Sequence, residues 1–351
     1  MPASALSPPG LALAAAMSVT NVFTDVARKH ALNKRDLIPA TFWIRVAVAA
    51  VFVVILAIRI AGGREIEIRD AGPLFGIPAL QFAPVPAFFV YLVIDVSLIT
   101  IVMWLYFRAL QISPLSLCVP FLAFTPVFLI PTGFVLLGEL PSPLKLLGVV
   151  LIVVGSLVMH RRLFAVGWLA PVKAVLREKG SRYMLLVSFI FSITNPLDKK
   201  LVVMSDVFVE AAAYGLGLCV SFWILGRLQG SDFRAAIRSN VKWVSLAGLS
   251  DAVSLLFQLA SYSYLAVVIS VSIKRAGIIL AVVAGWLFFR EREITDKLIA
   301  TAVMFCGVLI LYLPLTALQA AVLTLLTLAG MSSALYLTRN HAIGSEAEAS
   351  K

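Results

Sequence analysis

Runs of about 20 apolar residues recur along the chain, broken by short polar stretches. They fall at 9–30, 40–61, 87–110, 116–137, 144–160, 183–203, 207–227, 242–265, 267–289 and 296–313. A helix of that length crosses the ~30 Å hydrocarbon layer of a bilayer, so the pattern predicts ten transmembrane helices. The runs are long and continuous, where a membrane barrel needs short strands of alternating polarity. Past Pro314, residues 315–337 are apolar again, with Gln319 as the most polar member and no charge before Arg339. They predict either an eleventh span or a helix lying on the bundle. Residues 71–86 are also apolar, but Pro73, Pro78, Pro84 and Pro86 make them a loop, at the interface or buried in protein. The first run lacks a preceding basic segment and does not read as a cleaved signal peptide.

Composition strengthens this picture. Of 351 residues, 61% are hydrophobic and 13% charged, against roughly 45–50% and ~25% in soluble domains. The net charge of +11 fits basic loops between spans better than a nucleic-acid surface, so no nucleic-acid partner is expected. The longest connections, 62–86 and 161–182, are too short to bury a core of their own. Cys118, Cys219 and Cys306 lie in separate apolar runs and read as small hydrophobes. His30, His160 and His341 are scattered. They form no metal or triad spacing, so neither a metal nor any other cofactor is expected.

The chain repeats itself. Ser18–Asn21 (SVTN) recurs as Ser192–Asn195 (SITN), 174 residues later. Asp95 and Tyr106 recur as Asp251 and Tyr262 at an offset of 156, and Gly133, Glu139 and Gly155 as Gly285, Glu291 and Gly307 at 152. The fold class predicted is an all-α polytopic membrane protein built from two five-helix repeats, 9–160 and 183–313, joined by a basic linker at 161–182. Five spans is an odd number, so the second repeat crosses the membrane in the opposite sense. Inverted repeats support alternating access around a site between the halves.

The pattern resembles the drug/metabolite transporter superfamily, in particular the EamA-like ten-helix carriers. The residues that carry the resemblance are Arg45, the Gly138–Glu139–Leu140 segment with Gly148, Phe289–Arg290–Glu291, and Gly307. It covers about residues 9–313 and implies a ten-helix fold and a transport role, but no particular substrate. The 315–337 segment and the Lys274–Arg275 pair depart from the simple pattern. Lys and Arg are richer in the odd-numbered loops, which alone puts the N-terminus outside. The resemblance implies both termini in the cytoplasm, and the sequence leaves orientation open.

Ionisable groups within spans are costly and mark candidate function. Asp95 and Asp251 lie about a third of the way into their spans and are candidates for proton coupling or charge balance. Asp95 and Lys274 fall at similar depth, within reach of pairing. Tyr106 follows Asp95 by eleven residues, and Tyr262 follows Asp251 by the same interval, with Gln258 between; eleven residues is close to three helical turns, so each set shares a face. Lys274 and Arg275 point about 100° apart; one can pair with an acid while the other meets an anionic group such as carboxylate or phosphate. The first half has Leu122 and Ala123 there, so this pair breaks the repeat symmetry. Asn21 and Asn195 sit in the repeated motifs of the first and sixth spans, Asn195 before Pro196, whose missing N–H frees a carbonyl. Asp25, Arg28, Lys29, Asp198, Lys199 and Lys200 read as solvated helix ends, with gating of the two mouths as the alternative. Glu139 and Glu291 read as cap or loop partners, and Arg45 as an interfacial residue.

The expected function is secondary active transport, by alternating access, of a small metabolite with an anionic group across the cell membrane. No nucleotide-binding loop is present, so an ion or substrate gradient, with protons as the candidate ion, would supply the energy. Substrate contacts are expected from Lys274, Arg275, Tyr106, Tyr262, Gln258, Asn21 and Asn195, and coupling from Asp95 and Asp251. The partners expected are the small-molecule substrate, membrane lipids and protons; monomer and homodimer are both open. A flippase for a lipid-linked anion is the alternative. An intramembrane enzyme would need a nucleophile–base pair or metal ligands at one depth, and none is legible.

Overall fold

The computed structural model describes residues 7–31, 37–70, 72, 82–112, 122, 124–158, 179–277, 303–310, 313, 315–327 and 329–330. All regular structure among them is helical: α1 (Pro8–Ala31), α2 (Leu37–Ala61), α3 (Pro84–Ile112), α4 (Thr125–Leu137), α5 (Pro143–Val158), α6 (Lys179–Met204), α7 (Val207–Leu228), α8 (Phe233–Tyr262) and α9 (Val267–Ala276). Residues 303–310 (α10) and Ala317–Thr327 (α11) are helical as well. Each predicted run thus holds helix among the described residues. Leu37–Ala61, Pro84–Tyr106, Val207–Leu228 and Val241–Tyr262 are long and apolar enough to cross a membrane by length and composition. The start of the fourth run, residues 278–302 with Gly285 and Glu291, most of the 161–182 linker, Cys118, and 331–337 lie outside the described residues.

Local chemistry sets the helix ends. Asp206 caps α7, its Oδ1 accepting from the amides of Phe208 (2.7 Å) and Val209 (3.0 Å), and Asp232 caps α8 through Arg234 and Ala235. Such caps satisfy amides that have no partner within the helix. Gly138 ends α4 at φ +67°, with its amide on Phe134 O and the Glu139 amide on Gly133 O. A left-handed residue there suits glycine, and it aims Glu139 at the next elements.

The principal packed pairs are α1 with α8 and α9, α2 with α7 and α8, α3 with α6 and α7, and α4 with α6 and α9. Where α2 and α7 cross, a Cβ on Gly215 would lie 3.1 Å from Ala49 Cα, so only a bare backbone fits comfortably. Small residues at such crossings let membrane helices approach closely. The largest apolar cluster joins Leu11 and Met17 of α1, Phe52 of α2, Leu129 of α4, and Leu259 and Val267 of the second half. Outward positions such as Val54, Val93, Trp104, Leu216, Val220 and Leu249 are exposed. Apolar outside as well as inside is the arrangement a lipid solvent demands.

Candidate functional site

Polar side chains gather where α4, α6, α8 and α9 meet. Lys274 Nζ on α9 donates to Gln258 Oε1 on α8 at 2.6 Å, and Gln258 Nε2 reaches Asp198 Oδ2 on α6 at 3.5 Å. Tyr262, one turn beyond Gln258, donates to Asn195 Oδ1 at 2.8 Å, while Asn195 Nδ2 bonds the Phe191 carbonyl. Arg275 donates to Thr125 Oγ1 on α4 at 3.3 Å, and its guanidinium lies 5.6 Å from the Phe191 ring centre. Five of the predicted residues (Lys274, Arg275, Gln258, Tyr262 and Asn195) therefore line one junction of α4, α6, α8 and α9. Asn21 is half-buried on α1, where Ser18, one turn earlier, donates to Ile273 O at 2.7 Å. Tyr106 of α3, about 16 Å along the helix from Asp95, packs with Ala109, Leu122, Tyr183 and Met184.

The two aspartates that match by register sit in opposite surroundings. Asp251 holds two arginines: Arg28 Nη2 lies 2.7 Å from Oδ1 and Arg45 Nη1 2.9 Å from Oδ2. Arg45 is only 5% exposed. The interfacial reading of Arg45 is thereby corrected: ion pairing with Asp251 draws the guanidinium inside. Asp95 is 0% exposed and its neighbours are acids. It lies within hydrogen-bonding reach of Asp198 and electrostatic reach of Glu210. Both oxygens of Asp95 and both of Glu210 are buried without a hydrogen-bond donor. The structure thus sets Lys274 against Gln258 and near Asp198 and Asp251, with acids beside Asp95 in place of the expected lysine.

Glu139, in the turn after α4, touches the second half twice. Oε1 pairs with Lys199 Nζ at 2.5 Å and Oε2 accepts from the Val267 amide at 3.1 Å, at the start of α9. Lys199 also donates to Leu265 O at 2.7 Å. Negative charge at a helix start is favourable, so one carboxylate ties α4, α6 and α9 together. Below this tie, Pro196 leaves the Ser192 carbonyl without its helical partner, and Thr132 of α4 donates to it at 2.6 Å. Lys200, 8% exposed, places Nζ 4.7 Å from the Tyr91 ring centre.

Sequence reasoning treated Asp198, Lys199 and Lys200 as a solvated end, yet Asp198 and Lys200 are buried. The signal was available: their helix runs on four residues to Met204 before its turn. Glu210 went unnoticed because an acid in a first turn looks like an ordinary dipole partner. Its apolar setting, VFVEAAAYG, was the clue.

Residues 8–161 match the model of the EamA-like transporter family. This bears out the resemblance read from the residues. No curated protein matches the chain. Of the solved structures, 27 chains match. One, titled "Crystal structure of protein", aligns over 90% of this chain and 98% of its own with a TM-score of 0.62 and 15% identity, a likeness of fold alone.

Proposed function

We propose that this integral multi-pass membrane protein, whose residues 8–161 match the EamA-like transporter family, is a carrier of the drug/metabolite transporter type that moves a small metabolite with an anionic group by alternating access between two inverted five-helix halves. Two features support the two-fold arrangement. Exchanging α1–α4 with α6–α9 turns α1·α8 into α6·α3, α2·α8 into α7·α3 and α1·α9 into α6·α4, and leaves α2·α7 and α4·α9 as they are; all of these are packed pairs. The α2–α7 crossing also brings together Ala49 and Gly215, residues 166 positions apart, between the offsets of 174 and 156 on either side. A helix pair lying on a two-fold axis meets at equivalent positions.

The observation that carries the transport reading is the polar junction of Lys274, Gln258, Asp198, Asn195, Tyr262 and Arg275 on α6, α8 and α9, which reaches Thr125 of α4 in the other half. In transporters of this design the site lies at the repeat interface. Lys274 donates to the Gln258 amide oxygen and Arg275 to the Thr125 hydroxyl, and a carboxylate or phosphate arriving there forms a charge-assisted hydrogen bond with each. Asn195 and Tyr262 then shape the neighbouring wall. The chain belongs in the cell membrane on this reading, and residues 9–160 and 183–313 are its two repeats.

Purified protein screened by thermal shift against mono- and dicarboxylates and phosphate monoesters tests this, since a ligand of the native state raises its stability by mass action. A compound that stabilises the wild type and is taken up by proteoliposomes should do neither with Lys274→Ala or Arg275→Ala. Undiminished binding and uptake in both variants would overturn the anion site.

A further inference from the structure

We propose that Asp95, Asp198 and Glu210 form a single proton-binding site where α3 meets α6 and α7, wired to the anion site through Gln258 and Lys274, so that proton and anion favour each other's binding. The inference rests on the transport reading and names its coupling site. Asp95 on α3 and Glu210 on α7 are both fully buried, and none of their four carboxylate oxygens meets a donor. Asp198 on α6 stands between them, within hydrogen-bonding reach of Asp95 and electrostatic reach of Glu210. Three negative charges cannot share so dry a space, and two carboxyls in contact hold a proton between them. No three acidic, His or Cys side chains among the described residues are arranged to hold a metal ion, so the ligand that fits is the proton.

The surrounding charges say where it sits. Lys274 of α9 acts on Asp198, and Gln258 of α8 donates to the same carboxyl. Of the three acids, Asp198 is the one faced by a cation and an amide donor, so in this scheme it is the acceptor and Asp95 carries the shared proton. Tyr214 of α7 and Tyr262 of α8 face the cluster as neutral groups, and Arg45 of α2 acts on Tyr214. Lys200 of α6 is turned onto the Tyr91 ring. An anion arriving at Lys274 cancels the charge that faces Asp198, so the cluster takes up a proton as the anion binds. Reciprocity is obligatory for binding equilibria, and the coupling has the sign of symport.

The surroundings of Asp251 show why the site is single. Asp251 is the register equivalent of Asp95, and Arg45, four positions before Ala49, falls within one position of Glu210, five before Gly215. Where one half presents Glu210 to Asp95, the other presents Arg45, with Arg28, to Asp251. A carboxylate bracketed by two guanidiniums has no use for a proton, so Asp251 is a fixed strut in this scheme.

An infrared titration of the full-length protein in lipid nanodiscs tests the proposal. The wild type should show the carbonyl stretch of a protonated carboxylic acid at neutral pH. Asp95→Asn and Glu210→Gln should each weaken it, the double variant should abolish it, and Asp251→Asn should leave it intact. Lys274→Met, which removes the cation as a bound anion would, should make the band persist to higher pH. Absence of the band in the wild type overturns the proposal without relying on any variant to fold; a full band in the double variant, or no movement with Lys274→Met, does the same. No transported substrate enters these measurements, so failure here leaves the transport reading standing, and failure of the uptake test leaves the proton site standing.

Discussion

Asp251, Arg28 and Arg45 bring charge into a setting where each charge depends on the others. Removing one partner of a buried pair strands the remaining charge, which costs roughly 3–5 kcal/mol in proteins. Arg45→Met should therefore lower the unfolding temperature of the purified protein sharply, and adding Asp251→Asn should restore much of the loss. If Arg45→Met is neutral, the ion pair carries no structural weight. Tyr262→Phe is milder. It removes one donor to Asn195 Oδ1, about 1 kcal/mol for a neutral hydrogen bond. On the transport reading it should weaken ligand binding several-fold while leaving the fold intact, as thermal shift with and without ligand will report.

At the scale of the helix, Pro196 could not stand inside α6 without help from another element. The carbonyl it orphans, that of Ser192, is taken by Thr132 of α4. A Thr132→Val variant keeps the shape and removes the donor, for an expected loss of about 0.6–2 kcal/mol, the range of interhelical hydrogen bonds in membranes. Thermal unfolding should register it, and Thr132→Ser should recover it. Gly215 shows a steric limit. With Ala49 already 3.1 Å from the Cβ position, Gly215→Val should separate α2 from α7 and cost about 1–3 kcal/mol as overpacking does, visible as a lower yield of monodisperse protein. A stable, well-folded Gly215→Val protein would mean that the crossing has room to spare.

Across the whole molecule, the tie between Glu139, Lys199 and the start of α9 joins elements of both halves near one end of the bundle. Both side chains are 14% exposed, shielded enough to hold and open enough to release. Alternating access requires such a tie to break once per cycle. Cysteines at positions 139 and 199, bridged by a short bifunctional thiol reagent, should stop uptake by proteoliposomes, and a reductant-cleavable bridge should allow recovery. Transport at full rate with the bridge in place would rule the tie out as a gate.

The linear pattern was enough for the membrane class and the helices among the described residues, because a ~30 Å apolar layer demands long apolar runs wherever they occur. It also singled out Lys274, Arg275, Gln258, Tyr262 and Asn195, since polar side chains are conspicuous in such runs. The sequence could not say which charges meet. Arg45 reads as an interfacial cation because it lies near an end of its own helix, and depth along one helix says nothing about what the neighbouring helices bring alongside. Only the packing of α2 and α8 hands Arg45 to Asp251, and only the packing of α3, α6 and α7 leaves Asp95 among acids. Asp95 and Asp251 hold the same place in a repeat, and tertiary structure gives them opposite electrostatic settings.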